Sequence, residues 1–124
     1  MKSIVIDDSR TVRKMLCHFM EELDIETVEA EDGCDALARL GEEDPAEIRI
    51  ALVDWDMPRM SGIEFLREIR ACAEFEHLKV MMVTSHNKPE DLMQAIELGA
   101  NEFLMKPFDE GMFQDKMRLM GMLN

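Results

Sequence analysis

The stretch LVDWDMPRMSG, residues 52–62, joins the end of an apolar run to two aspartates and a break in regular structure. The run from Ile48 to Val53 is apolar except for Arg49, which is typical of a strand covered on both faces of a sheet. Because a proline and a glycine follow, Asp54 and Asp56 are predicted to lie where this strand ends. From the residues alone the pair could be a nucleophile with its acid, part of a metal site, or two solvated charges.

Similar apolar runs recur along the chain and alternate with helical periodicities. Strands are predicted over residues 3–6, 25–30, 48–53, 80–83 and 102–105. Helices are predicted after Ser9, over residues 34–40, from Ile63 to Ile69, from Pro89 to a stop at Gly99, and over residues 109–123. This alternation predicts βαβ units and a parallel sheet flanked by helices. With no linker or internal repeat, residues 1–124 are expected to form a single α/β domain.

Composition and charge exclude several classes of protein. The formal net charge of −13 argues against nucleic acid or an anionic membrane surface as the main partner. No apolar run approaches the roughly 18 residues of a membrane span, and the first is too short for a signal peptide, so a cytoplasmic protein without membrane insertion is expected. Three cysteines without paired spacing indicate reduced thiols rather than a disulfide or zinc framework.

Polar side chains stand at the carboxyl ends of the predicted strands. They are Asp7 and Asp8 after the first strand, Asp54 after the third, Thr84 after the fourth and Lys106 after the fifth. In a parallel sheet these ends share one edge, where ligands collect. Clustered carboxylates repel one another unless a cation lies among them, and oxygen ligands favour Mg²⁺. A carboxylate, a metal ion and a lysine together are suited to phosphoryl transfer, in which the carboxylate can be the nucleophile.

Four segments resemble the receiver domain of two-component response regulators, over essentially the whole chain. They are IVIDDSRTVRKML, LVDWDMPRMSGIEFLREIR, MMVTS and GANEFLMKPF. With Trp55 after the candidate acceptor, the sequence is most similar to single-domain chemotaxis members. The resemblance implies a flavodoxin-like doubly wound sheet of five parallel strands in the order 2-1-3-4-5, with five helices and no output domain. It also implies a phosphoacceptor that catalyses its own phosphotransfer and dephosphorylation, rather than an enzyme.

The resemblance further implies a role for each acidic residue. Asp54 would be the phosphoacceptor and would take the phosphoryl group of a phosphohistidine donor. Asp8 would ligate Mg²⁺ directly, and Asp7 would position the ion largely through water. Asp54 and the backbone carbonyl of Asp56 would complete the protein ligands.

The remaining family roles concern switching. Thr84 would hydrogen-bond one phosphoryl oxygen and Lys106 would pair with another, aimed into the site by a cis Lys106–Pro107 bond. Phosphorylation adds roughly −1.5 to −2 charge, so Thr84 would move toward the phosphoryl group and Phe103 would fill the vacated space. This would bias a two-state surface formed by the fourth helix, fifth strand and fifth helix.

Several positions leave questions open. Phe103 stands where chemotaxis members often carry Tyr, and it lacks the hydroxyl. Asp56 stands where they often carry Asn, and its side chain is expected to face the phosphoryl region. His86 lies near the predicted site but lacks metal-ligand spacing, so it is expected on a loop surface. The methionines of the last helix could form a docking face or simply pack.

Two other classes of protein compete with the receiver hypothesis. In a haloacid-dehalogenase-like phosphatase Asp56 would be the general acid, but such enzymes are usually larger, and Asp7 and Asp8 would be unexplained. A non-phosphorylated scaffold has no need of a repelling acid cluster. The favoured hypothesis is a monomeric, stand-alone regulator that takes its signal from a histidine kinase or histidine phosphotransfer protein. Its expected target is the flagellar motor switch in chemotaxis, with a phosphorelay shuttle or a regulator of development or of a kinase as the alternative.

Overall fold

Strands and helices alternate from one end of the chain to the other in a computed structural model that describes residues 1–123. The strands are β1 (Lys2–Ile6), β2 (Glu26–Ala30), β3 (Ile48–Asp54), β4 (Lys79–Thr84) and β5 (Glu102–Met105). The helices are α1 (Arg10–Glu22), α2 (Gly33–Leu40), α3 (Gly62–Arg70), α4 (Pro89–Leu98) and α5 (Glu110–Leu119). Within this described part, no helix is long and apolar enough to span a bilayer.

The five strands form one parallel sheet in the order β2-β1-β3-β4-β5. This confirms the flavodoxin-like doubly wound fold. Strand β3 lies in the centre, and all its residues except Arg49 are buried. The carboxyl ends of β1, β3 and β4 therefore lie side by side, with that of β5 at the margin.

Each face of the sheet has its own apolar core, because alternate residues of a strand point to opposite faces. On one face Val53 packs among side chains of α2, α3 and α4, with Phe65 fully buried. On the other face Leu52 packs among side chains of α1 and α5, where the rings of Phe19 and Phe113 lie 5.4 Å apart. The helices hold the sheet from both sides and leave its carboxyl edge accessible.

Most predicted boundaries that differ from the structure do so by one residue, whereas the end of α5 differs by four. Strand β2 begins at Glu26 rather than at residue 25, because the Ile25 N–H donates to the Met20 carbonyl at the end of α1. Helix α5 ends at Leu119 rather than at residue 123. Gly121 has a φ of +75°, which turns the chain and lets the Met122 N–H donate to the Met117 carbonyl.

Candidate functional site

Three aspartates meet at the carboxyl edge of the sheet. Asp7 and Asp8 follow β1 and Asp54 ends β3, the neighbouring strand. Each offers a carboxylate oxygen, and these three oxygens lie within 4.8 Å of one another. Asp7 and Asp54 are 1% and 5% exposed, whereas Asp8 is exposed to solvent. The cluster therefore has a buried floor and one accessible side.

The backbone around Asp7 fixes the position of its carboxylate. Its Oδ1 accepts a hydrogen bond of 2.8 Å from the Ser9 N–H, and Ser9 in turn caps α1 by accepting from the Val12 N–H. Its Oδ2 is buried and has no hydrogen-bond partner within residues 1–123. An unpartnered buried carboxylate oxygen is costly. Because this oxygen belongs to an all-oxygen ligand set, Asp7, Asp8 and Asp54 fit a hard divalent cation such as Mg²⁺.

Lys106 supplies a positive charge to the cluster. Its Nζ lies 3.1 Å from Asp54 Oδ1 and 4.0 Å from Asp7 Oδ2. The Lys106–Pro107 peptide bond is cis, and the Lys106 N–H donates to the Thr84 carbonyl at 2.9 Å. This hydrogen bond joins the ends of β4 and β5 beside the acids. The Lys106 side chain extends from the end of β5 to Asp54 at the end of β3.

The charges in the cluster are not balanced. Burial and the neighbouring carboxylate of Asp7 raise the pKa of Asp54 to about 6, although Lys106 opposes this. Burial also raises the pKa of Asp7 above its ordinary value. A cation bound among the acids would relieve this repulsion.

The loop between β3 and α3 approaches the site closely at one glycine. A Cβ at Gly62 would overlap the Asp54 carbonyl oxygen and lie 2.9 Å from Trp55 Cα. The Gly62 N–H also donates to the Trp55 carbonyl at 2.8 Å. Ser61 then starts α3 through a capping box with Glu64. The loop is therefore folded tightly against the residues that carry the acid.

The loop after β4 carries Thr84 and an unexpected contact residue. Thr84 is 1% exposed, and its Oγ1 accepts a hydrogen bond of 2.8 Å from the His86 N–H. His86 lies on this loop, as predicted, with 31% of its side chain exposed. Its ring stacks on Trp55, with ring centroids 4.6 Å apart and planes at 17°.

The His86 ring lies between two carboxylates. Nε2 is 3.0 Å from Asp56 Oδ2, and Nδ1 is 3.3 Å from Asp91 Oδ2 in the first turn of α4. Burial disfavours the charged imidazole, but the hydrogen bonds to Asp91 and Asp56 outweigh it and raise the pKa of His86. The Asp56 carboxylate is 75% exposed and contacts His86. No sequence signal predicted this contact, because it joins two loops whose residues are 30 positions apart.

Phe103 lies on β5, apart from the acids. Its side chain is half-buried and packs against the core cluster that contains Phe65. Beside it, Glu102 pairs with Lys116 of α5 at 3.1 Å. On α4, Met93 and Ile96 expose 57% and 55% of their surface. Met93 and Ile96 thus form an exposed apolar patch on α4, and the Glu102–Lys116 ion pair joins β5 to α5.

The fold and this site define a doubly wound α/β protein with an acidic pocket, suited to a cation, at its strand ends. Residues 4–118 match the family model described as the response regulator receiver domain, and the chain belongs to that family.

Relatives and solved structures agree with this assignment. The chain is 36% identical to chemotaxis protein CheY-3 of Vibrio cholerae, over 94% of this chain and 88% of that protein. It is 34% identical to chemotaxis protein CheY of Pseudomonas aeruginosa, over 94% and 93% of the two chains. The crystal structure of Vibrio cholerae CheY4 at low pH superposes with a TM-score of 0.87 at 27% identity, covering 94% of this chain and 95% of the other.

Proposed function

We propose that this chain accepts a phosphoryl group on Asp54 from the phosphohistidine of a histidine kinase or histidine phosphotransfer protein. The observation that carries the proposal is the buried Asp54 carboxylate, which has a lysine ammonium at 3.1 Å and two further acids around it. A carboxylate oxygen of Asp54 attacks phosphorus, the phosphorus–nitrogen bond breaks, and the histidine nitrogen leaves with the bonding electron pair. The product is an acyl phosphate on Asp54.

The residues present fit a magnesium ion. Asp8, Asp54 and the backbone carbonyl of Asp56 would hold it directly, and Asp7 would position it with its unpartnered Oδ2. When bound, Mg²⁺ neutralises negative charge on the phosphoryl oxygens. The protein contributes the buried floor and the exposed side through which a donor enters.

Lys106 and Thr84 act on the phosphoryl group itself in this proposal. The Lys106 ammonium is already beside Asp54 and can donate to a phosphoryl oxygen that becomes attached there. The Thr84 hydroxyl accepts from the His86 N–H and keeps its own hydrogen free to donate to a second oxygen. Movement of Thr84 toward that oxygen leaves space, which the half-buried ring of Phe103 fills. The α4–β5–α5 surface then changes.

Chemical phosphorylation tests the acceptor directly. The protein is incubated with Mg²⁺ and acetyl phosphate, and intact mass and lability to hydroxylamine are measured. We expect one phosphoryl group on the wild type and on Asp56→Asn, but none on Asp54→Asn. Removal of divalent ions with EDTA should abolish the reaction. Phosphorylation of Asp54→Asn equal to that of the wild type would refute the assignment. Turnover of phosphomonoesters that depends on Asp56 would favour a phosphatase instead.

For the output we propose chemotaxis, with a component of the flagellar motor switch as the target of the phosphorylated monomer. The relatives named as chemotaxis proteins and the exposed Met93 and Ile96 on α4 support this. We expect phosphorylation to strengthen binding to a purified motor-switch protein. Ile96→Glu should abolish the binding, and Met15→Glu, on α1, should not. Binding only to a histidine phosphotransfer protein would indicate a phosphorelay shuttle, and either result leaves the acceptor assignment intact.

A further inference from the structure

His86 makes contact with three separate parts of the molecule. Its ring covers Trp55, the residue after Asp54, at a centroid distance of 4.6 Å. Its Nε2 reaches Asp56 at 3.0 Å and its Nδ1 reaches Asp91 at 3.3 Å. Its backbone N–H donates to Thr84 Oγ1 at 2.8 Å. The ring and the backbone of His86 therefore join the loop after β3, the end of β4 and the first turn of α4.

The polar contacts differ in how much water surrounds them. The Asp56 side chain is 75% exposed, so its pairing with His86 is weak and can rearrange. The side chains of His86 and Asp91 are 31% and 33% exposed, so this contact is better shielded. Asp91 lies in the first turn of α4, two residues before the exposed Met93. The better shielded of the two ring contacts, although the longer one, therefore leads to the helix that carries the apolar patch.

The backbone contact joins this arrangement to Thr84. Because a hydroxyl oxygen can accept one hydrogen bond while its hydrogen is donated elsewhere, Thr84 can keep the His86 N–H while it turns toward a phosphoryl oxygen. A displacement of Thr84 then displaces His86 as well. Through Nδ1 it also displaces Asp91 and the start of α4.

We propose that His86 is a positioning residue that transmits the movement of Thr84 to α4 through its hydrogen bond with Asp91. This rests on the proposed phosphorylation of Asp54 and adds the route by which the acceptor site alters the α4 surface. The stack on Trp55 keeps the ring in the plane in which Nδ1 faces Asp91.

The test compares the α4 response of four proteins at equal phosphorylation. Amide resonances of Met93 and Ile96 are recorded before and after acetyl phosphate and Mg²⁺, with intact mass giving the phosphorylated fraction. His86→Phe keeps an aromatic ring for the stack but loses both ring hydrogen bonds. Asp91→Ala removes the hydrogen-bond acceptor, and Glu90→Ala removes a carboxylate from the same turn without touching His86. Urea unfolding of each variant checks that it is folded.

We expect the wild type and Glu90→Ala to show the full shift on phosphorylation, and His86→Phe and Asp91→Ala to lose most of it. A wild-type response in phosphorylated His86→Phe and Asp91→Ala would overturn the coupling and leave the acceptor assignment standing. Loss in Glu90→Ala would overturn it too, because loss of any carboxylate in this turn, rather than of the bond to His86, would then be responsible. Resonances of His86→Phe that occupy the shifted positions before phosphorylation would also overturn it, because His86 would then hold α4 in its unphosphorylated position and would not transmit the movement of Thr84. A wild type that takes up no phosphoryl group would overturn the proposed function and the coupling with it.

Discussion

The substitution Asp54→Asn should stabilise the protein when no divalent cation is present. Asp54 is 5% exposed, and burial together with Asp7 raises its pKa from 3.8 to about 6. This rise is roughly two pKa units, and each unit corresponds to about 1.36 kcal/mol. Keeping Asp54 ionised in the folded protein therefore costs about 3 kcal/mol of folding free energy. The amide of Asn carries no charge, yet its Oδ1 can still accept from Lys106.

The sign and the pH range follow from the direction of this shift. The folded protein holds the Asp54 proton more tightly than the unfolded chain does, so ionisation of Asp54 lowers the free energy of unfolding as pH rises from 3.8 through about 6. The advantage of Asp54→Asn should therefore be complete at pH 7.5, about half as large at pH 5, and close to zero below pH 3.8.

Urea unfolding in EDTA at pH 7.5 and pH 5 measures this difference, with the wild type and the variant compared at each pH. Asp115→Asn, at a residue whose side chain is 75% exposed, is the control and should change the free energy of unfolding by less than about 1 kcal/mol. Mg²⁺ should reduce the difference in free energy of unfolding between the variant and the wild type, because the three acids fit the cation only in the folded wild type. An Asp54→Asn protein that is no more stable than the wild type in EDTA at pH 7.5 would refute the reasoning.

Three further changes test other parts of the fold. Arg70→Lys should lower the free energy of unfolding, measured in urea, by about 2–3 kcal/mol. The Arg70 guanidinium donates to the carbonyls of Gly99, Phe75 and Leu78, and a lysine cannot reach all three. Arg67→Lys, at an exposed position, should leave the free energy of unfolding almost unchanged. Gly62→Ala should lower the free energy of unfolding by about 1–3 kcal/mol and slow phosphorylation by acetyl phosphate, since its Cβ would press on the backbone of Asp54 and Trp55. In the control Gly41→Ala, the new Cβ meets nothing closer than 3.4 Å. Equal stability of the two variants would contradict this prediction. A thiol reagent should modify exposed Cys34 rapidly in the folded protein and Cys17 only in urea, because Cys17 is 6% exposed and burial raises its pKa. Peptide mapping that finds Cys17 modified as fast as Cys34 in the folded protein would contradict this.

The fold could be predicted from the sequence because its signals are local. The run from Ile48 to Val53 is buried on both faces, as its unbroken apolar character predicts. The convergence of Asp7, Asp54 and Lys106 follows from topology alone, since parallel strands deliver their carboxyl ends to one edge. The end of α5 was missed because a methionine-rich tail continues the apolar pattern past Gly121, where the backbone turns.

The contacts of His86 could not be predicted in the same way. They join residues 30 positions apart, and they depend on the angle at which two loops leave neighbouring strands. Neither periodicity nor spacing encodes that angle. Such contacts between loops are where members of one fold family differ while their strands and helices stay alike.

Asp54 and Asp56 are two residues apart, yet the fold places them in opposite environments. Asp54 ends a buried strand and faces Asp7 and Lys106, whereas the Asp56 side chain is 75% exposed and contacts His86. A general acid must reach the leaving group, so a phosphatase would need Asp56 aimed into the pocket beside Asp54. The contact of Asp56 with His86 instead favours the proposed receiver function, in which Asp54 is the nucleophile. In that proposal the backbone carbonyl of Asp56 would ligate the cation, and its carboxylate contacts the loop that leads to α4.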